Sequence, residues 1–323
     1  MTVLVTGASG FVGQHLVGRL IAEGERVRAL VRPTSETAAL VAAGAEVVSA
    51  DLSSDSPLDD IVAGCDIVHH LAAAHGQGVS EETCQAVNVR GTERLAAAAA
   101  RANVRRFVLA STRGVHGLIR GGIVNEQTPV APNTPYRRSK LGAERVVARY
   151  GADHGLKYVV VRLPTLAGSG SRTWLELFRA IGRGGFRPIG RGTNRFHMAH
   201  VQDAADALRL AAAIPGIDGE TFIVGGKAPL ALREFLAYVA EALGVRLARI
   251  PIPASAYRPL FAVKAVIARA RGTPVRPDAA EFWVSDYEID DGKARRLLGY
   301  SPRGSVKEAV EDTVSWYRSH GLL

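Results

Sequence analysis

The chain has 323 residues, 47% hydrophobic and 22% charged, and its 40 Lys+Arg against 31 Asp+Glu give a net charge of +9. That length suits one large domain with a smaller second lobe, and a core of that size needs no disulfide staples. The arginines form neither a basic helix nor an aromatic-interleaved stripe, which argues against a nucleic-acid binder, and no apolar run reaches membrane-spanning length.

Met1 leads directly into a β-branched run, Thr2–Thr6, so no signal peptide is expected and the chain reads as cytoplasmic. The turn Thr6-Gly7-Ala8-Ser9-Gly10-Phe11-Val12-Gly13 follows, with Gly7, Gly10 and Gly13 between that strand and an apolar helix beginning near Phe11. Glycines so placed let the backbone turn sharply and approach a pyrophosphate, which then sits at the positive N-terminal end of the helix. Short β-branched runs alternate with alanine-rich stretches from there on. Strands are predicted at Arg26–Val31, Glu46–Ser49, 66–70, 106–111 and Tyr158–Leu163, and the clearest helices at 81–102 and 136–153. The pattern predicts an α/β fold, a doubly wound parallel sheet with helices on both faces. Arg32 closes the second strand, where an acidic residue would bond a ribose diol. A guanidinium there suits a 2′-phosphate, with Arg28 or Thr34 assisting, so NADP is favoured over NAD; the alternative is a solvated arginine. Cys65 and Cys84 lack metal-ligand spacing and read as buried or idle thiols of a reducing compartment, and no metal site is expected.

Tyr136 and Lys140 lie four residues apart, so on a helix they share one face. A phenol, ordinarily at pKa about 10, serves as an acid-base group near neutrality only if its anion is stabilised. An ammonium about 4 Å away supplies on the order of 4 kcal/mol at an effective dielectric near 20, so Lys140 is expected to lower the Tyr136 pKa. Ser111 and Thr112 close the strand at 106–111 and offer a hydroxyl to hold a reacting oxygen, or serve as turn groups.

After Pro164 the texture changes to Gly, Arg and Pro with shorter elements, so residues 1–164 read as the dinucleotide-binding unit and 165–323 mainly as a substrate-binding lobe. The helix Val201–Ala213 and the strand at 221–224 look regular enough to return to the main sheet, which makes 195–226 an interleaved part of the first unit. The stretch 254–270 is apolar but interrupted by charge, and reads as an amphipathic element lining a substrate site or touching a membrane surface.

Taken together these residues resemble the extended short-chain dehydrogenases/reductases, within the NAD-dependent epimerase/dehydratase group, over nearly the whole chain. The resemblance adds Asp66-Ile67-Val68-His69-His70-Leu71-Ala72-Ala73, the run Asn88 to Thr92, the run Ser111 to Gly117, Arg162-Leu163-Pro164, His200-Val201-Gln202-Asp203 and the closing run Lys293 to Tyr300. It implies a Rossmann fold with a smaller C-terminal substrate-binding lobe. It implies Tyr136 as acid-base, Lys140 as its partner and ribose anchor, and Thr112 as the hydroxyl orienting the substrate oxygen, with Ser111 as its fallback. Ser9, Phe11 and Val12 join the glycines at the cofactor, Asp51 and Leu52 flank the adenine, and Leu71, Ala72, Ala73 and Leu163 line the cofactor cleft. Asn88 is the family's structural asparagine or a helix polar group. The implied activity is hydride transfer between the nicotinamide and a secondary alcohol or ketone, hydroxysteroid- or dihydroflavonol-like, to which the stretch 254–270 and the ending Asp290-Asp291-Gly292-Lys293 correspond. The alternatives are a nucleotide-sugar epimerase or dehydratase, to which the tract Gly190 to Arg195 corresponds, and a non-catalytic dinucleotide binder. His116 replaces the usual tyrosine and is a pocket or structural group. The resemblance also implies a homodimer paired through the helices 81–102 and 136–153, whose alanine-rich faces permit close packing.

Overall fold

The computed structural model describes residues 1–76, 78–184, 186–248, 251–253 and 282–323. The apolar stretch 254–270 lies outside the described residues. Seven strands, β1 (Thr2–Thr6), β2 (Arg26–Val31), β3 (Glu46–Ser49), β4 (Ile67–His70), β5 (Arg106–Thr112), β7 (Tyr158–Leu163) and β11 (Thr221–Ile223), form one sheet in the order β3-β2-β1-β4-β5-β7-β11. Every adjacent pair in it is parallel. This is the expected doubly wound Rossmann-type sheet, and the order reverses between β1 and β4.

Strand side chains alternate between two apolar layers, as the period of two requires. Leu4, Leu30, Val68, Leu109 and Val160 face one way, toward α3 (Asp59–Val62), α5 (Gly91–Arg101) and α6 (Pro135–His154). Val3, Val5, Ala29, Val108 and Val161 face the other, toward α1 (Phe11–Ala22) and α8 (Val201–Ala213). Each face of the sheet is therefore dry, and only its ends meet solvent.

The predicted helix 81–102 is one rod with an irregular middle: α4 (Glu81–Cys84), a π-helical stretch (Gln85–Arg90) and α5. A second apolar core gathers Trp174, Phe178, Phe196, Phe235, Tyr287, Ile289 and Tyr317. It involves α7 (Leu175–Gly182), α9 (Leu232–Leu243) and α11 (Val306–Ser319). Beside it, β6 (Arg120–Val124) pairs in parallel with β13 (Asp286–Ile289), a pairing that the sequence pattern does not announce. No described helix is long and apolar enough to cross a membrane.

Candidate active site

Because the strands are parallel, everything that follows a strand collects along one edge of the sheet. That edge holds the turn after β1, Arg32 after β2, Asp51 and Leu52 after β3, Leu71 to Ala73 after β4, Ser111 and Thr112 ending β5, and Leu163 ending β7 beside Thr112. In open sheets of this kind ligands bind along the carboxyl edge, where the strand order reverses.

The turn is built for close approach. Gly7 has φ +67, and a Cβ there would come within 2.7 Å of the Ala72 nitrogen, so the turn and the segment after β4 lie backbone against backbone. A Cβ at Gly13 would meet the Gly7 carbonyl oxygen at 2.1 Å. Gly10 begins α1 without a side-chain cap, leaving the first amides of the helix available to an anion, with Ser9, Phe11 and Val12 half-buried around them.

At the next strand end Arg32 is exposed and has no hydrogen-bond or ion-pair partner among the described residues. Asp51 accepts hydrogen bonds from the Ser53 amide and hydroxyl, both 2.7 Å, and these bonds, with a smaller contribution from Arg32, hold its carboxyl below the usual range. Arg94 binds the Leu52 and Ser56 carbonyls and fastens this loop to α5. Arg28 is not available to assist. It is bound to Glu46 at 3.0 Å and to the carbonyls of Ile61 and Ala63, because it lies mid-strand, two residues before Leu30 on the face of β2 that packs toward α3.

Behind the turn a polar chain runs through the core. Thr6 Oγ1 accepts from the Ala72 amide (3.2 Å) and lies 2.7 Å from His70 Nδ1, while His70 Nε2 lies 2.9 Å from Thr92 Oγ1, which donates to the Asn88 carbonyl (2.6 Å). With Thr6 donating to Nδ1 and Nε2–H donating to Thr92, every group is satisfied by a neutral imidazole. Burial, reinforced by Lys140, lowers the His70 pKa to about 3, in agreement with that tautomer. The Asn88 amide oxygen accepts from the Ala74 amide (2.6 Å), and its nitrogen donates to the Ala74 carbonyl (3.0 Å) and Ser139 Oγ (2.8 Å). Asn88 thus joins the segment after β4 to the helix turn before Lys140.

Thr134 caps α6, Pro135 occupies its first turn, and Tyr136 and Lys140 follow at positions that share a face. Thr112 Oγ1 accepts from the Gly114 amide (3.0 Å), and a methyl added at Gly114 would approach both Thr112 Oγ1 (3.2 Å) and Arg137 Nε (3.1 Å). The end of β5 and the first turn of α6 therefore meet beside Tyr136. Ser111 instead donates to Glu144, whose carboxylate is held by buried Arg162 through bonds of 3.1 and 2.7 Å. Arg162 Nη1 also donates to His116 Nε2 (3.2 Å), whose Nδ1 faces the Pro129 carbonyl (3.3 Å), so His116 is a structural link.

The expected lowering of the Tyr136 pKa by Lys140 is not found. Burial pushes the phenol up to about 12, the Cys84 thiol adds to this, and Arg137 opposes it. Burial also pushes the Lys140 ammonium down to about 8 against the pull of Glu144. Desolvation outweighs the local charges at both groups.

A model of the NAD dependent epimerase/dehydratase family matches residues 3–225. The chain belongs to that family. The 4-hydroxy-2-methyl-3-oxo-4-farnesyl-3,4-dihydroquinoline-1-oxide ketoreductase of Stigmatella aurantiaca is 31% identical over 320 residues, covering 96% of this chain and 95% of that protein. The 3 beta-hydroxysteroid dehydrogenase/Delta 5→4-isomerase of Mycobacterium tuberculosis is 32% identical over 339 residues, covering 98% and 90%. The solved structure of MoeE5 in complex with UDP-glucuronic acid and NAD is 28% identical, with TM-score 0.78, covering 99% of this chain and 100% of that one. Like these relatives, the chain is an enzyme of the extended short-chain dehydrogenase type within the epimerase/dehydratase family.

Parts of two family-like tracts are bound within the protein. Asp291 accepts from the Gly225 amide and pairs with Arg295, while Lys293 binds Glu220 (2.6 Å) and the Thr221 carbonyl (2.7 Å). The ending 290–293 therefore fastens α10 (Gly292–Leu298) to β11. In the tract 190–195, Arg195 is paired with Glu288 on β13. Sequence reasoning missed the Ser111–Glu144–Arg162 chain; the one available signal was Glu144, a carboxylate one turn beyond Lys140 on a largely buried helix face.

Proposed function

We propose that this epimerase/dehydratase family member is an NADP-dependent oxidoreductase that transfers hydride between the nicotinamide and the carbon of a secondary alcohol or ketone. The observation that carries this reading is the meeting of the end of β5 with the first turn of α6: Thr112 closes the strand, Tyr136 stands in that turn with its phenol held protonated, and buried Lys140, with no hydrogen-bond or ion-pair partner among the described residues, follows one helical turn on. The named relatives that act on a ketone and on a hydroxysteroid support it.

The residues fit a dinucleotide. The glycine turn and the uncapped start of α1 would take the pyrophosphate, Asp51 and Leu52 the adenosine end, Leu71 to Ala73 and Leu163 the cleft wall, and Lys140 the ribose. The nicotinamide, when bound, supplies or accepts the hydride. With a pKa of about 12, Tyr136 is protonated at neutral pH and suited to give a proton to a ketone oxygen. Ser111 is committed to Glu144, so Thr112 is the hydroxyl that fixes that oxygen. Arg32, unpartnered where Arg28 is tied down, favours NADP over NAD.

A second reading, a nucleotide-sugar epimerase or dehydratase, is favoured by the MoeE5 likeness and by Arg191, exposed and without a partner among the described residues. A third, a non-catalytic dinucleotide binder, would not need Tyr136 and Lys140 together. The two buried free thiols, Cys65 and Cys84, suit a cytoplasmic setting, and we read the functional unit as a homodimer.

The test is a screen of ketones and sugar nucleotides, read by absorbance of the reduced cofactor, followed by Tyr136→Phe. The variant keeps the ring and removes the proton, so turnover should fall by about 10²- to 10⁴-fold with cofactor affinity nearly unchanged. Turnover at the parent rate overturns the assignment. Tighter binding of NAD than NADP, or no change of preference in Arg32→Ala, overturns the cofactor reading.

A further inference from the structure

Three arginines are buried among the described residues: Arg106, Arg113 and Arg162. Two of them carry their own counter-charge. Arg106 meets Asp218 at 2.8 Å and the Ala211 carbonyl, and Arg162 is held bidentate by Glu144. Arg113 has none. One of its N–H groups donates to the Gly117 carbonyl (3.1 Å), and its guanidinium lies over the Tyr287 ring at 4.1 Å. No carboxylate among the described residues lies within 4 Å of it. Its remaining N–H groups have no partner among the described residues and are not sealed from solvent.

A guanidinium largely removed from water without a counter-charge is costly, and a ring face, one carbonyl and the remaining access to solvent offset only part of that cost. The position explains what the charge is kept for. Arg113 directly follows Thr112 at the carboxyl edge of β5, and Tyr287 belongs to β13, in the second core, so the guanidinium stands at the seam between the sheet edge and the lobe. His116, which feels the charge of Arg113, is pushed toward its neutral form first by burial and then by Arg162 and Arg113. The aromatic stack fixes the plane of the guanidinium and leaves its other donors as a fork, the geometry that matches a planar carboxylate.

We propose that Arg113 is a substrate-recognition residue that binds a carboxylate carried by the ketone or alcohol whose oxygen lies at Thr112 and Tyr136. This rests on the oxidoreductase reading above. It makes the substrate an oxo or hydroxy acid, and it gives the basic surplus of the chain a local use. The competing role, a bolt between the catalytic loop and β13, needs the ring contact and the Gly117 bond but no free donors.

The experiment uses the full chain loaded with NADPH and two neutral-sized probes that differ in charge, 3-oxocyclohexanecarboxylate and 3-oxocyclohexanecarboxamide. Binding is read by thermal shift, with and without NADPH, and by fluorescence of the bound cofactor. The parent protein should prefer the carboxylate by about 10-fold or more, the scale of one charge-assisted hydrogen bond. Arg113→Gln should bring the ratio to about one, and Arg113→Lys, which keeps the charge but not the fork, should retain part of it. A parent protein with no carboxylate preference, or a preference unchanged in Arg113→Gln, overturns the proposal. If Arg113→Gln does not fold, an undiminished preference in Arg113→Lys does so, since charge without the fork would then suffice. Failure of NADPH to bind at all is read separately from these ratios and counts against the oxidoreductase reading instead.

Discussion

Lys140 enters the folded state at a disadvantage: burial draws its ammonium down to about 8 from an ordinary 10.5. Its charge therefore costs stability at neutral pH, a cost relieved as pH rises through 8. A bound ribose or diphosphate favours the charged form, so cofactor affinity should be full below pH 8 and fall above it. Fluorescence titration of NADPH at pH 6.5 and pH 9 should show the loss, and Lys140→Met should bind weakly with little pH dependence. His69 makes a different point about single side chains. It is fully buried on β4 between Val5 and Val108, neither ring nitrogen has a partner among the described residues, and burial lowers its pKa to about 3. The unfolded chain takes up a proton below 6.5 that the folded chain refuses, so the stability present above pH 6.5 is lost as pH falls toward 3. The slope is about 1.4 kcal/mol per pH unit for each such histidine. His69→Val removes an unsatisfied buried polar group from a strand, and should raise stability near pH 7 by about 1–3 kcal/mol. Its urea midpoint should also decline less between pH 7 and pH 5 than that of the parent.

Elements show which parts of the molecule can be read from the chain and which cannot. The strands of the main sheet were legible because their β-branched runs are buried on both faces and stand between helical stretches, and the site motifs because each directly follows one of them. The rod at 81–102 was legible as a helix but not as a bulged one, since one shifted turn leaves the apolar pattern of α5 intact. That bulge matters, because π-helical turns tend to mark functional sites, and here it carries Asn88 toward Ala74 and Ser139. Asn88→Ala would leave the Ala74 amide unpaired and its carbonyl with only the Cys84 thiol, 3.8 Å away. A destabilisation of about 1–3 kcal/mol is expected in urea unfolding, together with a larger loss of turnover than of NADPH affinity, because Lys140 and Tyr136 flank Ser139 on one helix. The strands β6 and β13 escaped notice for a simpler reason: Arg120-Gly121-Gly122-Ile123-Val124 has no clean alternation, and its partner lies far along the chain. Adjacent hydroxyls were equally opaque. Ser111 and Thr112 differ in role because Glu144 arrives from α6, and nothing local to β5 announces that arrival.

At the scale of the whole molecule, the alanine-rich faces expected to pair a homodimer are shared between the protein's own core and its surface. Ala96, Ala98, Ala99 and Ala143 face the core, while Ala148 is exposed and Ala97, Ala100 and Gly142 are half-buried. They also turn charge outward, including the pair Glu93–Arg149 between α5 and α6, and Glu81–Arg138 ties α4 to α6. None of the exposed large hydrophobic residues lies on either helix. A dimer through this face would be held by polar contacts, so light scattering at micromolar concentration should find it at low salt and find it weakened as salt screens those pairs. A monomer at every ionic strength would remove the proposal.

The parallel pairing of β6 with β13 also has a consequence for how the protein is made. On the ribosome β6 emerges after β1 to β5 but before α6, β7 and β11, and the strand that completes it, β13, follows all of these. The nascent chain must therefore carry an open strand edge, with Val124 uncovered, until Asp286–Ile289 is made. The cofactor turn and the first strands can settle early, while the lobe that would select the substrate closes only when the C-terminal residues arrive. Chains halted before Asp286 should consequently accumulate as aggregation-prone species, recognised by quality control through that edge rather than through any defect in the sheet.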